Sequence, residues 1–571
     1  MEFIQKRSQD SAVDPFLLKA ADEGVALVWD RYEGQLPECG FCEAGMSCRD
    51  CLQGPCISHP FKGEINKSGI CGKDNDTLAA HSLLRLALKG TMGYLDQLND
   101  LLEDLEKGNI EPADKAQTEK LVSRARDLYR VAGSEVIDAF PETMSENWRT
   151  SGVVPQGVAR DVIKASQKLE GGIADLNELV LWSFKCSLLG AVAQRAAIAL
   201  KKAVFGDVTP TELCLNLGCL AEEKPTVLFF GNVPTALISK VCSQAESENI
   251  EVGGVCTDTL ISSYKISPVT NYGSQEVALM TGAVDVIVVG DQFVNPSLSE
   301  FAERWEVKII KAQSIKGLGS YDVEASSIIE TAKRAFDTRS NVKKTIPAAK
   351  DSALMGYTSG QIDAGKIIKA LDEGKIKGVA LLCGSNNVKY SQDNETVVMA
   401  EHFLENDILC FADGEASITL AKKGFLKAGE KGVCGEGLSN VLASLGDEIP
   451  AVIDITCYGV TDLLIDLAGA AGKALSEYPV FACYPEANRT MEVTKALWTV
   501  AMGVPVYFWP ALPVTGSAKM VTALSEFCTE TFGAGFNIIA RKRLTALVKA
   551  GNIVQEMTGG EKKKMSGYEW R

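Results

Sequence analysis

Residues 39–56 read CGFCEAGMSCRDCLQGPC, and residues 69–72 add GICG. This loop carries six cysteines with the spacing C-x2-C-x5-C-x2-C-x4-C-x14-C, at Cys39, Cys42, Cys48, Cys51, Cys56 and Cys71. So many thiols in one short loop indicate disulfide bonds, a zinc site or an iron–sulfur cluster. The choice among these three decides how the rest of the chain is interpreted.

The composition restricts the partners and the compartment. The 571 residues are 46% hydrophobic and carry a formal net charge of −16, so neither a nucleic acid nor an anionic membrane is expected as a partner. The chain has no run of 18 apolar residues, and residues 1–10 lack the pattern of a signal peptide. We therefore expect no membrane span and a cytoplasmic location, where thiols stay reduced. The odd count of 17 cysteines also argues against a disulfide framework.

The spacing within the loop separates the two remaining alternatives. Two C-x2-C pairs resemble a zinc ribbon, but only five residues separate them, which is short for the two knuckles of a ribbon. The Gly-Pro-Cys turn at 54–56 favours a cubane, in which thiolates from one tight loop converge on four irons. We therefore favour an iron–sulfur cluster and keep zinc as the alternative.

The apolar pattern predicts an α/β protein with an N-terminal helical domain and two Rossmann-like, doubly wound domains. Apolar residues recur at helical spacing from 76 to 202, and later as short continuous runs separated by amphipathic stretches. The predicted domains are 1–222, 223–345 and 346–571. The predicted strands are 226–230, 252–256, 284–289 and 308–312, then 378–383, 407–411, 451–457, 479–483, 504–509 and 536–540.

Five further cysteines lie at or near the ends of predicted strands: Cys256, Cys383, Cys410, Cys457 and Cys483. Ligands gather at the carboxyl ends of strands in open α/β sheets, so we expect at least three of these thiols to bind one metal centre. Glu415 follows the strand at 407–411 and is either a hard iron ligand or a residue that stabilises a helix N-terminus. The remaining cysteines are interpreted as structural, including Cys214 and Cys219 just before the first of these strands.

The loop and several later stretches resemble the catalytic subunit of nickel–iron carbon monoxide dehydrogenase and the related hybrid cluster proteins. Besides 39–56 and 69–72, the matching stretches are SQEVALMTGAVDVIVV at 274–289, LAKKG at 420–424, CGEGL at 434–438 and PALPVTG at 510–516. The resemblance runs through nearly the whole chain in the same order. It implies a helical domain followed by two Rossmann-like domains, in agreement with the apolar pattern.

The resemblance also implies roles for the first six cysteines. A [4Fe–4S] relay cluster within each subunit would be bound by Cys48, Cys51, Cys56 and Cys71. Cys39 matches a ligand of a second cluster that bridges a homodimer. The family's second cysteine for that cluster is replaced by Ser47 here, and we expect Cys42 to take its place.

At the positions that match the family's active site, this chain departs from the pattern. Only Cys457 stands squarely on a ligand position, and Cys256 remains from a double-cysteine turn. Asn232 stands where a histidine is expected, and Met491 stands where a catalytic lysine is expected. The other departures are Phe293, Ser385 and Glu415 in place of cysteines and Gln97 in place of a relay histidine.

These departures set the functional expectation. Nickel–iron carbon monoxide chemistry needs soft thiolates, an imidazole and acid–base groups, which the substituted residues do not supply. We therefore expect an iron–sulfur oxidoreductase with an altered iron–sulfur or iron–sulfur–oxo centre, with nickel left open and carbon monoxide oxidation doubtful. It would act on a small molecule, hydroxylamine-type N–O reduction being one candidate, with Glu415 and Asn232 as candidate catalytic residues.

Partners and alternatives complete the prediction. Electrons would enter a homodimer from a ferredoxin-like carrier through the N-terminal clusters. The alternatives are a functional nickel carbon monoxide dehydrogenase and a non-catalytic electron-transfer or sensor protein.

Overall fold

The computed structural model describes residues 6–59, 63, 67–130, 134–171, 175–314, 319–339, 342, 344–540 and 544–559. The outer ends of the first and last predicted domains, residues 1–5 and 560–571, lie outside the described residues. Helices predominate up to residue 205, and strands alternate with helices after residue 210.

The α-helices of the described part are named in chain order. They are α1 (Asp14–Glu23), α2 (Val28–Glu33), α3 (Gly40–Glu43), α4 (Asn75–Glu106), α5 (Lys115–Tyr129), α6 (Glu142–Ser151), α7 (Asp161–Glu170), α8 (Leu176–Phe205), α9 (Thr235–Ser247), α10 (Gln275–Met280), α11 (Leu298–Arg304), α12 (Ala325–Thr338), α13 (Ala364–Asp372), α14 (Asn394–Glu405), α15 (Glu415–Ala421), α16 (Glu436–Leu445), α17 (Val460–Ala471), α18 (Thr490–Ala501), α19 (Ala518–Phe532) and α20 (Ala546–Thr558).

The strands are named in the same way. They are β1 (Ser47–Cys48), β2 (Cys56–Ile57), β3 (Thr211–Leu215), β4 (Thr226–Phe230), β5 (Glu251–Val255), β6 (Leu260–Ile261), β7 (Tyr264–Lys265), β8 (Ser267–Thr270), β9 (Val286–Val289), β10 (Lys308–Lys311), β11 (Asp351–Met355), β12 (Gly378–Leu382), β13 (Ile408–Ala412), β14 (Val452–Asp454), β15 (Val480–Tyr484), β16 (Val506–Phe508) and β17 (Phe536–Ile538).

The helical region confirms the prediction between residues 76 and 202 and is built on α4 and α8. Each of these helices begins at an aspartate whose side chain caps it: Asp74 accepts from the N–H of Thr77, and Asp175 from that of Glu178. Their buried leucines and alanines pack against each other and against α18. Burial of these apolar faces, rather than helix propensity, stabilises such long helices.

Helix α8 is the one helix of the described part that is long and apolar enough to cross a membrane by length and composition. Its most apolar 18-residue window has a mean hydropathy of 1.2, and 61% of that window is buried inside the protein. Contacts with α4, α5 and α18 cover it, which is the environment of a core helix.

Two parallel sheets form the rest of the molecule and confirm the predicted α/β class. The strand order is β10-β9-β4-β5-β8 in the first sheet and β14-β13-β12-β15-β16-β17 in the second. All neighbouring strands within these two sheets are parallel. The antiparallel pair β3–β11 joins the chain segments before β4 and before β12.

In each sheet there is one point at which successive chain connections change direction. The candidate functional site, described below, is lined by residues from both of these points. In the first sheet β4 pairs with β5 on one side and β9 on the other; in the second, β12 pairs with β13 and β15. The loops after these strands diverge, which opens a crevice at their carboxyl ends. From these loops, Asn232 and Phe293 reach the crevice from the first sheet, and Cys383, Gly384 and Arg489 reach it from the second.

A close helix crossing fixes the start of α18 over this crevice. The Oγ1 hydroxyl of Thr494 on α18 donates to the carbonyl of Ala87 on α4, at 2.9 Å. A Cβ atom at Gly90 would collide with Thr494 and with the Thr490 carbonyl, so the two helices approach this closely because residue 90 has no side chain. The crossing therefore sets the position of Arg489, which precedes the first turn of α18.

A row of carboxylates follows one face of α4 away from the crevice. Asp96, Asp100 and Asp104 recur at four-residue spacing, so they lie on one side of the helix. Burial, together with the neighbouring charges of Asp96, Asp104, Glu103 and Asp291, raises the pKa of Asp100 to about 8. Asp100 is therefore mostly protonated at neutral pH in the folded protein.

This row predicts a pH-dependent effect of replacing Asp100 with asparagine. The unfolded carboxyl has a pKa of about 3.9, so the folded state binds the extra proton between pH 4 and 8, and wild-type stability falls as pH rises through that window. Asp100→Asn should match the wild type near pH 4 and exceed its unfolding free energy above pH 8 by on the order of 2 kcal/mol, after a discount for partial solvent access. Urea unfolding at both pH values measures this, and a pH-independent difference would contradict it.

Candidate functional site

A cavity of about 480 Å³ lies between the carboxyl ends of the two parallel sheets. Five of the side chains predicted for the site line it, namely Cys256, Cys383, Cys457, Glu415 and Asn232. They come from segments up to 225 residues apart, which the two sheets bring to one place. Most of the residues predicted for the metal centre therefore line one cavity.

The strands of the first sheet place two of these residues and Phe293. Asn232 follows β4, Cys256 directly follows β5, and Phe293 lies in the loop after β9. Cys256 and Phe293 have positive φ angles of 56° and 63°, a region that residues with a side chain rarely adopt. Such strain persists only where the surrounding structure imposes it, and it commonly marks a functional site.

The second sheet supplies the remaining donors. Cys383 is the first residue after β12, and Cys457 lies in the turn that follows β14. Glu415 is the first residue of α15, after β13, and its Oε2 accepts the backbone N–H of Tyr272 from the first sheet at 2.9 Å. This bond joins the facing edges of the two sheets at the cavity.

The structure does not bring Cys410 and Cys483 to this cavity. Strands β13 and β15 run one residue beyond the predicted ends, so these two thiols lie within the strands and not at their carboxyl ends. Both are fully buried in the apolar core, and neither lines the cavity. Their assignment as ligands stays a prediction without support from the geometry.

The sequence interpretation did not assign Arg489 to the site. Its Nη2 donates to the Cys256 Sγ at 3.4 Å and lies 3.9 Å from the Glu415 Oε1. Its guanidinium carbon lies 4.1 Å from the ring centroid of Phe293 and 4.9 Å from that of Tyr272. The position of Arg489 after β15, at the point where the sheet changes direction, was the signal that could have identified it.

The electrostatics of the cavity combine buried thiols with two buried cations. Burial raises the pKa of the thiols of Cys383 and Cys457, and burial with the nearby Glu415 raises that of Cys256. Burial lowers the pKa of Lys495, but its ion pair with Asp413 outweighs burial and raises it. Thiols in such surroundings become thiolates when a metal takes the place of the proton.

The donor set fits a polynuclear iron–sulfur centre. Three of the predicted thiol ligands and the predicted carboxylate ligand Glu415 line a single cavity, and among its described lining residues there is no histidine. In the part of the chain that the structure describes, no three His, Cys, Asp or Glu side chains converge on one point as the ligands of a single ion would. In a cubane each thiolate binds a different iron, so its ligands surround a cavity instead of meeting at a point.

The N-terminal loop forms a second, smaller site. Cys48, Cys51, Cys56 and Cys71 line one pocket of about 180 Å³, and none of them is in a disulfide. The antiparallel pair β1–β2 sets Cys48 opposite Cys56. The four thiols thus share one pocket, as the ligands of a single cluster would.

A charged network holds this loop against α4. The Asp50 carboxylate lies 3.3 Å from the Lys73 Nζ and 3.4 Å from the His81 Nδ1, and it pairs with Arg85. Burial alone would raise the pKa of Asp50, but its bonds to His81 and Arg85 keep that pKa well below its ordinary value. Asp50 therefore carries its charge at neutral pH and ties the pocket to the helical region.

The remaining cysteines of the loop lie apart from this pocket. Cys39 directly precedes the short helix α3, and Cys42 lies within it; both are exposed. Hydrogen bonds from the backbone and the side chain of Cys42 lower the pKa of the Cys39 thiol. Cys214 and Cys219, interpreted as structural, form a disulfide, although the expected compartment favours reduced thiols.

Comparisons with known proteins agree with this architecture. The chain is 27% identical to carbon monoxide dehydrogenase 1 of Methanosarcina mazei, over 98% of both proteins. It is 28% identical to carbon monoxide dehydrogenase 2 of Carboxydothermus hydrogenoformans, over 97% of this chain and 98% of that protein. Among solved structures, carbon monoxide dehydrogenase IV of Carboxydothermus hydrogenoformans superposes with a TM-score of 0.88 at 25% identity, covering 97% of this chain and 99% of that chain.

These likenesses confirm the resemblance drawn from the cysteine loop. They identify the molecule as a carbon monoxide dehydrogenase-like iron–sulfur oxidoreductase scaffold. Residues 46–135 and 111–540 match the model of one protein family, and together they span most of the chain. The chain therefore belongs to the Prismane/CO dehydrogenase family.

Proposed function

We propose that this protein is an iron–sulfur oxidoreductase whose active-site centre differs from that of its carbon monoxide dehydrogenase relatives. The observation that carries the proposal is the donor set of the cavity: Cys256, Cys383 and Cys457 with Glu415, and Arg489 against the Cys256 thiol. A carboxylate among thiolates makes a mixed hard and soft set, which suits iron and is unlike an all-sulfur nickel site.

The residues of the cavity would have different roles in this function. Cys256, Cys383, Cys457 and Glu415 would hold the centre, which supplies electron transfer to a bound small molecule. Arg489 keeps one positive charge beside it, fixed between the rings of Phe293 and Tyr272. Lys495 and Asp413 form a second charged pair at the wall, in which the raised pKa of Lys495 keeps its proton and its positive charge in place.

The N-terminal loop would carry the electrons. Cys48, Cys51, Cys56 and Cys71 would bind a [4Fe–4S] cluster, supported by the pocket that they enclose. Cys39 and Cys42 are exposed and adjacent, so their thiols are accessible to a second copy of the chain, as a bridging cluster requires. A ferredoxin-like protein would deliver electrons to this end of a cytoplasmic homodimer.

A second candidate function is carbon monoxide oxidation with a nickel-containing centre. Its support is the likeness to carbon monoxide dehydrogenases over nearly the full length of both proteins. Against it stand the missing imidazole among the described lining residues and Met491 at the position that matches the family's lysine. Asn232 stands in place of the family's histidine and Met491 in place of its lysine. Neither an amide nor a thioether can transfer a proton as an imidazole or an amine does.

Metal analysis with two activity assays separates these functions. On anaerobically purified protein we expect iron in excess of one [4Fe–4S] cluster per chain, nickel well below one per chain, and oxidation of a reduced dye by hydroxylamine. Nickel near one per chain with carbon monoxide-dependent dye reduction would establish the second candidate. Iron for the N-terminal clusters alone, with neither activity, would leave a non-catalytic electron-transfer protein.

A further inference from the structure

The cavity reaches the surface along one face of helix α8. The larger α8 side chains that line it lie three or four positions apart or side by side, which places them on one side of the helix: Gln194, Arg195, Ile198, Lys201 and Lys202. Of the other lining residues, Cys383 is 3% exposed, whereas the side chain of Asp207 is 61% exposed. A lining that runs from a buried thiol to an exposed carboxylate forms a passage, which we call the α8 passage.

The turn that carries Cys457 forms the wall opposite α8. A Cβ atom on Gly459 would lie 2.6 Å from the Ile198 Cδ1, and Gly459 has a positive φ of 80°. Ile198 therefore packs directly against this turn, in space that a side chain at position 459 would need. Cys457, two residues earlier, is partly exposed in the same cavity. The size of residue 198 should therefore control access to this thiol.

Ion pairs line the α8 passage. They are Lys201–Asp258, Arg195–Asp462 and Lys202–Asp207. In the first two pairs each side chain is between 22% and 37% exposed, so a solute in the passage can contact them. Deeper in the cavity, Lys495 pairs with Asp413, and Arg489 lies 3.9 Å from Glu415. Each described lysine or arginine of the lining is therefore already balanced by a carboxylate.

A further carboxylate of the passage has no such partner. Asp466 on α17 accepts hydrogen bonds from the hydroxyls of Tyr458 and Ser359, the second at 2.8 Å. Within the described residues, no lysine or arginine forms an ion pair with it. The carboxylates of the passage therefore outnumber its cations by one, so its formal charge is negative.

We propose that the α8 passage is the entrance for the substrate and that it selects a small neutral or cationic amine, of the class of hydroxylamine, against anions such as nitrite. The inference rests on the proposed function, because it names the class of small molecule on which that oxidoreductase acts. An anion in the passage meets no unpaired cation to replace its lost hydration, whereas an ammonium group is attracted to Asp466. A neutral amine can exchange hydrogen bonds with the charged groups of the wall.

The first test measures how charge affects access to Cys457. The full chain is prepared without iron and is labelled with two methanethiosulfonates, one carrying a trimethylammonium group and the other a sulfonate. Peptide mass spectrometry follows the labelling of Cys457. The cationic reagent should react at least about fivefold faster than the anionic one, after division by the same ratio for free mercaptoethanol. A corrected ratio of one or less would overturn the proposal.

Two single-charge variants should shift this corrected ratio in opposite directions. Asp466→Asn removes the carboxylate that lacks a cation, so the ratio should fall about two- to threefold. Lys202→Met leaves Asp207 without its partner, so the ratio should rise by a similar factor. Salt at about 0.5 M should suppress both shifts, because it screens charges at an open passage. Shifts in the same direction, or none, would contradict the selection by charge.

The second test concerns the route. Ile198→Trp should slow the labelling of Cys457 by both reagents at least about tenfold, because it narrows the passage beside Gly459. The labelling of Cys42, which is exposed in the N-terminal loop, should not change. Ile163→Trp, at a site on α7 that is 54% exposed, is the matched control and should label as the wild type does. Unchanged Cys457 labelling in Ile198→Trp would mean that solutes enter elsewhere.

A smaller residue at position 198 covers the case in which the tryptophan variant does not fold. Ile198→Ala should accelerate the labelling of Cys457, and an unchanged rate in this variant would overturn the proposal. If circular dichroism shows that the iron-free chain itself does not fold, the iron-loaded protein decides. Its kcat/KM for hydroxylamine should then fall at least about tenfold in Ile198→Trp while kcat stays the same, and equal kcat/KM values would reject the route.

Failure of this inference is distinguishable from failure of the proposed function, because the labelling requires neither iron nor turnover. If iron analysis finds a centre in the cavity but the labelling shows no preference for the cationic reagent, the entrance proposal falls and the oxidoreductase proposal stands. Absence of iron from the cavity of the anaerobically purified protein would reject the proposed function, whatever the labelling shows.

Discussion

Replacing Cys457 with alanine is expected to remove the iron centre of the cavity while the N-terminal [4Fe–4S] cluster stays in place. Cys457 lines the cavity together with Cys256 and Cys383, and a centre with few thiolates cannot lose one without losing most of its affinity. The N-terminal pocket shares no lining residue with this cavity. Iron per chain should fall to the content of the N-terminal clusters, and hydroxylamine-dependent dye oxidation should disappear.

Cys410→Ala is the matched control for this variant. Cys410 was predicted as a ligand too, but it is fully buried in β13 and does not line the cavity. We expect this variant to keep the full iron content and activity and to lose only stability, by about 1 kcal/mol for the sulfur removed from the core. Equal iron loss in both variants, measured with electron paramagnetic resonance of the reduced protein, would contradict the cavity assignment.

The strands could be predicted because each is a short, continuous run of apolar residues. All ten predicted strands are present, with ends that differ by up to three residues. Parallel strands covered on both faces need apolar side chains on both, so the pattern is strong. The pairs β1–β2, β3–β11 and β6–β7 and strand β8 were not predicted, since these strands of two to five residues lack a continuous apolar run of that length.

The same small errors at strand ends had a large effect on the predicted ligands. A cysteine after a strand and one inside it are adjacent positions in sequence, yet successive side chains of a strand point to opposite faces. Cys383 leaves β12 and reaches the cavity, whereas Cys483 pairs with Leu382 inside the sheet. Ligand assignment therefore required strand boundaries more exact than the apolar pattern provides.

Apart from its position after a predicted strand, the sequence gives no sign of the role of Arg489, because its surroundings are assembled from distant segments. Tyr272 and Phe293 come from the first sheet, Glu415 follows β13, and the arginine itself precedes α18. In the sequence, Arg489 is one charged residue in a polar turn, for which solvent exposure is the ordinary expectation. Only the approach of the two sheets buries it and turns a surface residue into part of the cavity.

A buried ion-pair network fixes this approach of the two sheets. The Lys422 Nζ lies 2.9 Å from the Asp10 Oδ2 and 2.5 Å from the Asp393 Oδ2, and all three side chains are less than 5% exposed. The other oxygen of Asp393 accepts from Asn271 after β8, at 2.8 Å, and from Thr419 on α15, at 2.8 Å. The network thus joins the N-terminal segment, the first sheet and the helix that begins at Glu415.

Replacing Lys422 with methionine is expected to cost about 3–5 kcal/mol of unfolding free energy at neutral pH, because two buried carboxylates lose their cation. Burial would raise the pKa of Asp393, but Lys422 holds it below its ordinary value, so this stabilisation is present above about pH 4 and is lost as pH falls through the folded pKa. The difference in unfolding free energy between Lys422→Met and the wild type should therefore narrow in acid.

Lys333→Met, which breaks the exposed pair with Glu248, is the matched control and should change stability by less than about 1 kcal/mol. Urea unfolding of the three proteins at pH 7 and at one value well below pH 4 measures both effects. A cost that is equal at the two pH values, or equal in the two variants, would mean that the methylene chain of Lys422, rather than its charge, joins the sheets.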